Sequence, residues 1–175
     1  MKSILITGGG RSGKSRFAQK LAAESGGRVL FVATAEARDE AMRRRIEAHR
    51  RSRPENWETL EAPLGISAVI KGYTAGADVV VIDCITMLVS NTMLLERDMD
   101  AAEEAALKEI QSLVDRMSGT EATFIIVTNE LGSGLVPDTE LGRRYRDCLG
   151  RTNQILAGHA DEVYLMVAGL PVRLK

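Results

Sequence analysis

The 175-residue sequence has two cysteines, Cys84 and Cys148. They lie far apart, and neither has a C-x-x-C partner, so neither a zinc ribbon nor a disulfide framework can be read from them. No apolar stretch approaches the length needed to span a bilayer. The N-terminus goes from a short apolar run straight into a glycine-rich loop, without the pattern of a signal peptide. There are no repeats, low-complexity segments or linkers. An excess of one charge is also lacking: the formal net charge of -1 argues against a protein that binds nucleic acid or membrane with its whole surface, while leaving local basic patches open. What remains is ordinary globular composition, 45% hydrophobic and 27% charged. A chain of this length can bury a core without disulfides or structural metal. The expectation is one domain over residues 1–175 in a reducing, cytoplasmic setting.

Strand and helix patterns alternate almost throughout. Ser3 to Thr7 and Arg28 to Thr34 are continuous apolar runs, as expected of parallel strands covered on both faces. Between them a helix over Lys14 to Ala23 carries Phe17 and Leu21 at i,i+4 spacing and stops at Gly26-Gly27. Asp78 to Cys84 is the best strand, with four branched apolar residues in a row followed by Asp83. Ile66 to Tyr73 reads as a short helix, and Ile85 to Leu95 is ambiguous between helix and loop. Asp100 to Met117 reads as a helix with an Asp100-x-x-Glu103 capping box. Thr123 to Thr128 is another strand. A last helix starts at Pro137-Asp138 and buries a face through Leu141, Tyr145, Cys148, Thr152, Ile155 and Leu156. Glu162 to Val167 and Leu170 to Lys175 form a hairpin across Gly169. The pattern is that of an α/β, mostly parallel, doubly wound sheet with a C-terminal β-hairpin.

The strongest local signal is GGGRSGKS, residues Gly8, Gly9, Gly10, Arg11, Ser12, Gly13, Lys14 and Ser15. It matches G-x-x-x-x-G-K-[ST] between a strand and a helix. Gly8 and Gly13 free the backbone so that consecutive N–H groups converge on phosphate oxygens at a positively polarised helix start. Lys14 would neutralise β/γ-phosphates, and the Ser15 hydroxyl would bind Mg²⁺. A strand-to-helix turn that binds nothing would have no need of Lys-Ser after its last glycine.

In doubly wound sheets ligands bind outside the carboxyl ends of the strands. The residues to collect there are Gly8 to Ser15, Ala33, Thr34, Ala35, Asp83, Cys84, Asn129, Glu130 and Gly169. Asp83 closes its strand as a Walker-B acid does and is the second candidate metal ligand, unless it only caps the following turn. Glu61 and Glu130 are weaker candidates, each as readily a solvated loop acid.

From Glu36 to Arg51 the pattern is helical, and six arginines fall between Arg43 and Arg53. Met42, Ile46 and His49 share a face, within about 40° at ~100° per residue. Arg53-Pro54 should end the helix. His49 is either a packed side chain or a nucleophile: a neutral imidazole can attack an α-phosphorus and form a phosphoramidate, with Arg50, Arg51 and Arg53 neutralising the phosphate chain. A nearby cationic cluster favours the neutral ring. The arginines alone would equally suit a solvated face or a nucleic-acid patch. His159 reads as a helix-end residue, and the two cysteines as buried small apolar groups.

These residues sit in a longer pattern. ITGGGRSGKSRFA, FVATAEA, RIEAHRRSRPENWETLE, VVVIDCITMLVSN, IIVTNELGSGLVP and GRTNQILAGHADEVYLMVAGLPVRLK together resemble, nearly end to end, the bifunctional adenosylcobinamide kinase/adenosylcobinamide-phosphate guanylyltransferase family of cobalamin biosynthesis. The resemblance implies a RecA-like P-loop NTPase fold and two reactions: γ-phosphoryl transfer from ATP or GTP to adenosylcobinamide, then transfer of GMP from GTP through a histidine to the new phosphate. It implies His49 as the guanylylated residue; Lys14 of the loop is the other candidate catalytic residue, stabilising phosphoryl charge. It also implies nucleotide contacts at Gly8 through Ser15, Ala33 to Ala35, Arg50, Arg51, Ser52, Arg53, Glu61 and Asp83. Its further implications are ATP and GTP as substrates, adenosylcobinamide and its phosphate as partners, no nucleic acid, and assembly as a homo-oligomer, a trimer in family members. Two other readings compete: a simple P-loop small-molecule kinase with His49 structural, and a regulatory module that binds RNA or a partner through the arginine helix.

Overall fold

The structure, a computed structural model, describes residues 2–51 and 53–175. Seven strands are named in chain order: β1 (Lys2–Gly8), β2 (Val29–Ala33), β3 (Glu58–Glu61), β4 (Val79–Asp83), β5 (Thr123–Val127), β6 (Glu162–Val167) and β7 (Leu170–Arg173). They form one sheet in the order β3-β2-β4-β5-β1-β6-β7, parallel at every junction except the antiparallel β6–β7 hairpin. The helices are α1 (Lys14–Glu24), α2 (Glu40–Arg51), α3 (Ile66–Val69), α4 (Lys71–Thr74), α5 (Ile85–Met93), α6 (Met99–Ser118) and α7 (Glu140–His159). This is the doubly wound α/β architecture read from the sequence.

The continuous apolar strands have a simple cause. Successive residues of a strand point to opposite faces, and here both faces are covered. Ile4, Ile6, Val29, Phe31, Val79, Val81, Ile125 and Val127 pack with Ala18 and Ala22 of α1. Leu5, Leu30, Val32, Val80, Ile82, Phe124 and Ile126 pack into a larger core with α5, α6 and α7. The buried stripe of α1 is Ala18 and Ala22, while Phe17 and Leu21 beside it are only half-buried. Small residues on that stripe let the helix lie close to the sheet. No helix among the described residues is long and apolar enough to cross a membrane.

Several boundaries differ from the sequence-based expectation. Residues 58–61 form the edge strand β3, hydrogen-bonded only to β2 and mostly exposed. A half-exposed ETLE segment carries no apolar period, so the free edge of β2 decides its conformation. Helix α2 begins at Glu40 and not Glu36, because the Asp39 carboxylate accepts from Met42 N (2.7 Å) and nucleates the first turn there. Residues 66–73 divide into two single turns, α3 and α4.

The segment from Ile85 is helical and almost wholly buried. Helix α6 is capped by Asp98, which accepts from Ala101 N (2.8 Å), and not by Asp100. Asp100 and Glu103 instead pair with Arg144, and Glu103 also with Arg151 (3.1 Å), joining α6 to α7. Helix α7 starts at Glu140 behind a Thr139 cap, and Leu141 in its first turn stays exposed while Cys148, Leu149, Thr152 and Leu156 are buried. Cys148 is buried as expected, whereas Cys84 is only half-buried. His159 ends α7, its Nδ1 2.9 Å from the Ile155 carbonyl oxygen.

Candidate nucleotide site

Because six strands run in parallel, their carboxyl ends share one edge, and register sets what stands beside what. Glu61, Ala33 and Asp83 are directly paired on β3, β2 and β4, and Asp83 pairs in turn with Val127. Val127 is opposite Ile6, two residues before Gly8. The strand-end residues collected from the sequence therefore form a continuous rim.

The loop after β1 is braced on two sides. Its Gly8 carbonyl accepts from the Glu130 backbone N–H (3.0 Å), and its Ser12 carbonyl accepts from Gly169 N–H in the β6–β7 turn (3.0 Å). Gly8 has φ 146°, and a Cβ there would stand 2.6 Å from the Met166 carbonyl oxygen. Gly13, at φ 97°, is the N-cap of α1 and makes no side-chain cap bond, and the first N–H groups of a helix have no partner within it. The β6–β7 hairpin is thus a buttress of the phosphate loop, a role its exposed sequence did not announce.

Lys14 is buried, and its Nζ donates to the carbonyls of Gly8 (3.0 Å) and Gly9 (2.6 Å). Burial holds its pKa below the ordinary lysine range; Cys84 and Asp83 oppose that shift and the charge of Arg45 adds to it. Ser15, in the first turn of α1, and Asp83 are both half-buried. Asp83 carries no side-chain hydrogen bond or ion pair among the described residues, so its oxygens are open to a ligand. One hydroxyl and one carboxylate are hard oxygen donors that suit Mg²⁺, an ion that completes its shell with phosphate oxygens and water. Among the described residues there is no cluster of three or more His, Cys, Asp or Glu side chains that could hold a metal without such help.

A second group stands at the β2–β3 end of the rim. Arg50 forms an ion pair with Glu61. The Arg53 guanidinium lies over Phe31, its carbon 3.9 Å from the ring centroid, and Trp57 stacks on the same ring at 6.3 Å and 24°. Arg53 Nε and Nη1 are buried and have no hydrogen-bond partner among the described residues; Ser12 Oγ in the phosphate loop is likewise unsatisfied. Burial holds Arg53 below the usual guanidinium range; Asp83 opposes this, Arg50 adds to it, and Glu61 opposes it. Buried polar atoms without partners are uncommon; Thr7 Oγ1 and Thr152 Oγ1 are the others among the described residues.

Met42, Ile46 and His49 are the half-buried residues of α2; the rest of the helix is exposed. Arg51 pairs with Glu47 (3.7 Å), and both side chains are exposed. Ser52 lies outside the described residues. Thr34 is buried: its Oγ1 donates to Cys84 O (2.6 Å) and accepts from Cys84 N–H (2.8 Å), locking the end of β2 to the end of β4. Ala35 is half-buried, and Gly9, Gly10 and Arg11 are exposed at the loop tip, Arg11 with φ 58°. Arg45, exposed on α2 and four residues before His49, lies on a neighbouring strip of the same helix.

Comparison with known proteins gives a consistent result. A family model described as cobinamide kinase / cobinamide phosphate guanyltransferase matches residues 4–174. The chain is 42% identical over 180 residues to the bifunctional adenosylcobalamin biosynthesis protein CobU of Escherichia coli, covering 98% of this chain and 99% of that one. It is 39% identical over 180 residues to the protein of the same name from Salmonella typhimurium, at 98% and 99% coverage. To the bifunctional adenosylcobalamin biosynthesis protein CobP of Pseudomonas aeruginosa it is 43% identical over 173 residues, covering 98% of this chain and 96% of that one.

Proposed function

The chain belongs to the cobinamide kinase / cobinamide phosphate guanyltransferase family, and on that premise we propose that it phosphorylates adenosylcobinamide and then guanylylates the product through His49. In the first reaction the acceptor hydroxyl oxygen attacks the γ-phosphorus of ATP or GTP, the bond to the β-phosphate oxygen breaks, and a nucleoside diphosphate leaves. Lys14 and the N–H groups of Gly8 to Ser15 hold the phosphate chain for that in-line displacement. Ser15 and Asp83 would hold Mg²⁺, which when bound supplies neutralising charge at the β/γ-phosphates.

In the second reaction an imidazole nitrogen of His49 attacks the α-phosphorus of GTP and pyrophosphate leaves. The phosphate oxygen of adenosylcobinamide phosphate then displaces the histidine and forms adenosylcobinamide-GDP. Arg53 and Arg50, with Glu61 and the Ala33–Ala35 segment, form the nucleotide-holding rim on the His49 side.

The observation that carries this reading is geometric: register sets Glu61, Ala33 and Asp83 side by side on the rim, with Arg50 ion-paired to Glu61 and Arg53 lying over Phe31 of β2. His49 directly precedes Arg50 in the last turn of α2, so a nucleotide held by Arg50 and Arg53 would have the imidazole nearby. The unsatisfied nitrogens of Arg53 supply a cationic partner for its phosphates. The proposal extends to one domain over residues 1–175, cytoplasmic and assembled as a homotrimer.

The test uses GTP labelled at the α-phosphate. Acid-labile label should appear on the wild-type chain and be lost in His49→Ala, while γ-labelled nucleotide should label adenosylcobinamide unless Lys14 is replaced by Met. No acid-labile label, or label that persists in His49→Ala, would overturn the covalent histidine and leave a plain P-loop kinase.

A further inference from the structure

Three segments of the proposed site converge on one buried side chain outside it. Asn91 lies in α5 among Leu88, Val89 and Met93, and it is 1% exposed. Its Nδ2 donates to the Thr34 carbonyl (2.9 Å) and to the Pro63 carbonyl (3.1 Å), and its Oδ1 accepts from Arg38 Nη2 (3.2 Å). Both amide donors and the acceptor are therefore engaged, each with a different piece of chain. Thr34 directly follows β2, Arg38 stands two residues before α2, and Pro63 lies two residues after Glu61 at the exit of β3. Arg38 is further held by Glu36, through Nε (3.0 Å) and Nη2 (2.9 Å).

The consequence for α2 follows from its packing. None of its described residues is buried, so core contacts do little to aim it. Its direction is set by its ends: the 34–38 segment at the start, and the Arg50–Glu61 ion pair and the Arg53–Phe31 contact at the finish. A fully bonded buried amide is directional in a way that an apolar side chain is not, and leaving its partners unpaired is costly. We propose that Asn91, acting through Arg38 and Thr34, is the positioning residue that aims α2 and the rim of β2 and β3 for guanylyl transfer. This rests on His49 as the guanylylated residue; γ-phosphoryl transfer, which depends on the loop after β1, is less exposed to it.

Two measurements test this. In hydrogen–deuterium exchange on the full-length protein, Asn91→Leu and Arg38→Met should speed exchange of the amides of residues 34–51 by about tenfold or more, with α1 unchanged, because the links that restrain local opening are gone. In the labelling assay, guanylylation of His49 should fall on the order of 30-fold in Asn91→Leu, with γ-phosphoryl transfer falling less than about fivefold, since misplacement near 1 Å costs up to about a hundredfold.

Arg38→Met covers the case in which Asn91→Leu does not fold: the Arg38 side chain is 48% exposed, and its loss should give the same split between the two reactions at about tenfold. Arg38→Lys, which can still donate to Asn91 Oδ1, should restore most of the loss. Unchanged exchange over residues 34–51 in Arg38→Met overturns the proposal whether or not the histidine is labelled. So does an equal fall in both reactions. Absence of label on the wild-type chain, with exchange altered as expected, defeats the histidine reading and leaves Asn91 as the anchor of α2.

Discussion

The guanidinium carbon of Arg53 stands 3.9 Å from the centroid of the Phe31 ring, on the strand whose next-but-one residue, Ala33, forms the rim of the site. The contact holds the guanidinium against the ring while Nε and Nη1 remain without hydrogen bonds among the described residues. Pre-orientation of this kind lowers the cost of capturing a phosphate. Trp57 on the same ring explains why the only tryptophan follows so closely on the arginine segment.

If Arg53 is held ready in this way, its charge alone is not enough. Arg53→Lys keeps the charge but loses the planar fork, and the Kd for GTP should rise about tenfold, or about 1.4 kcal/mol. Arg53→Ala should lose more. Fluorescence titration with a GTP analogue decides; a lysine variant that binds as the wild type does would show that only charge matters there.

Gly8 and Gly10 should respond differently to the same methyl group. Gly8→Ala drives a Cβ to 2.6 Å from the Met166 carbonyl oxygen, at a φ of 146° that side chains rarely adopt, and should cost about 2–3 kcal/mol of stability with loss of nucleotide binding. Gly10 has open space around it, and Gly10→Ala should stay within about 0.5 kcal/mol. Urea unfolding of the pair checks the contrast, and equal midpoints would contradict the geometry.

Asp83 is expected to act in both reactions. Asp83→Asn should lower each by roughly a hundredfold, with partial recovery at high Mg²⁺ and little change in melting temperature, because the carboxylate holds no structural hydrogen bond among the described residues. The carboxylate also raises the proton affinity of Lys14 against burial. Its removal should move the alkaline limb of the γ-transfer pH profile to lower pH. A limb that stays in place, or moves up, would separate Asp83 from Lys14.

Cys148 gives a pH dependence of stability away from the site. Burial, with a smaller contribution from Glu103, pushes its thiol from the ordinary 9.0 up to about 11. Above pH 9 the unfolded chain loses this proton while the folded chain keeps it. Stability should therefore fall as pH rises from 9 to about 11 and then level off. Cys148→Ala should flatten that part of the curve in urea titrations; an unchanged slope would assign the alkaline loss to other groups.

Much of the candidate site can be read along the chain because its signals are local. GGGRSGKS needs only its own spacing, and Asp83 is recognisable as the acid closing four branched apolar residues. Where a feature depends on what packs beside it, the pattern misled. Asp100 and Glu103 had the spacing of a capping box, yet α7 presents Arg144 and Arg151 to them, and the cap passes to Asp98. Residues 58–61 had no strand period, yet β2 offered a free edge.

Backbone preference and binary pattern act over a few residues, so the alternation of strand and helix, the buried strands and the glycine-rich loop can be read along the chain. The neighbours of that loop come from packing alone. The tertiary structure set Glu61, Ala33 and Asp83 side by side, braced Gly8 and Ser12 with Glu130 and Gly169, and gathered the roots of α2, β2 and β3 on Asn91. Those contacts join residues tens of positions apart, and register and packing, which no local spacing encodes, bring them together.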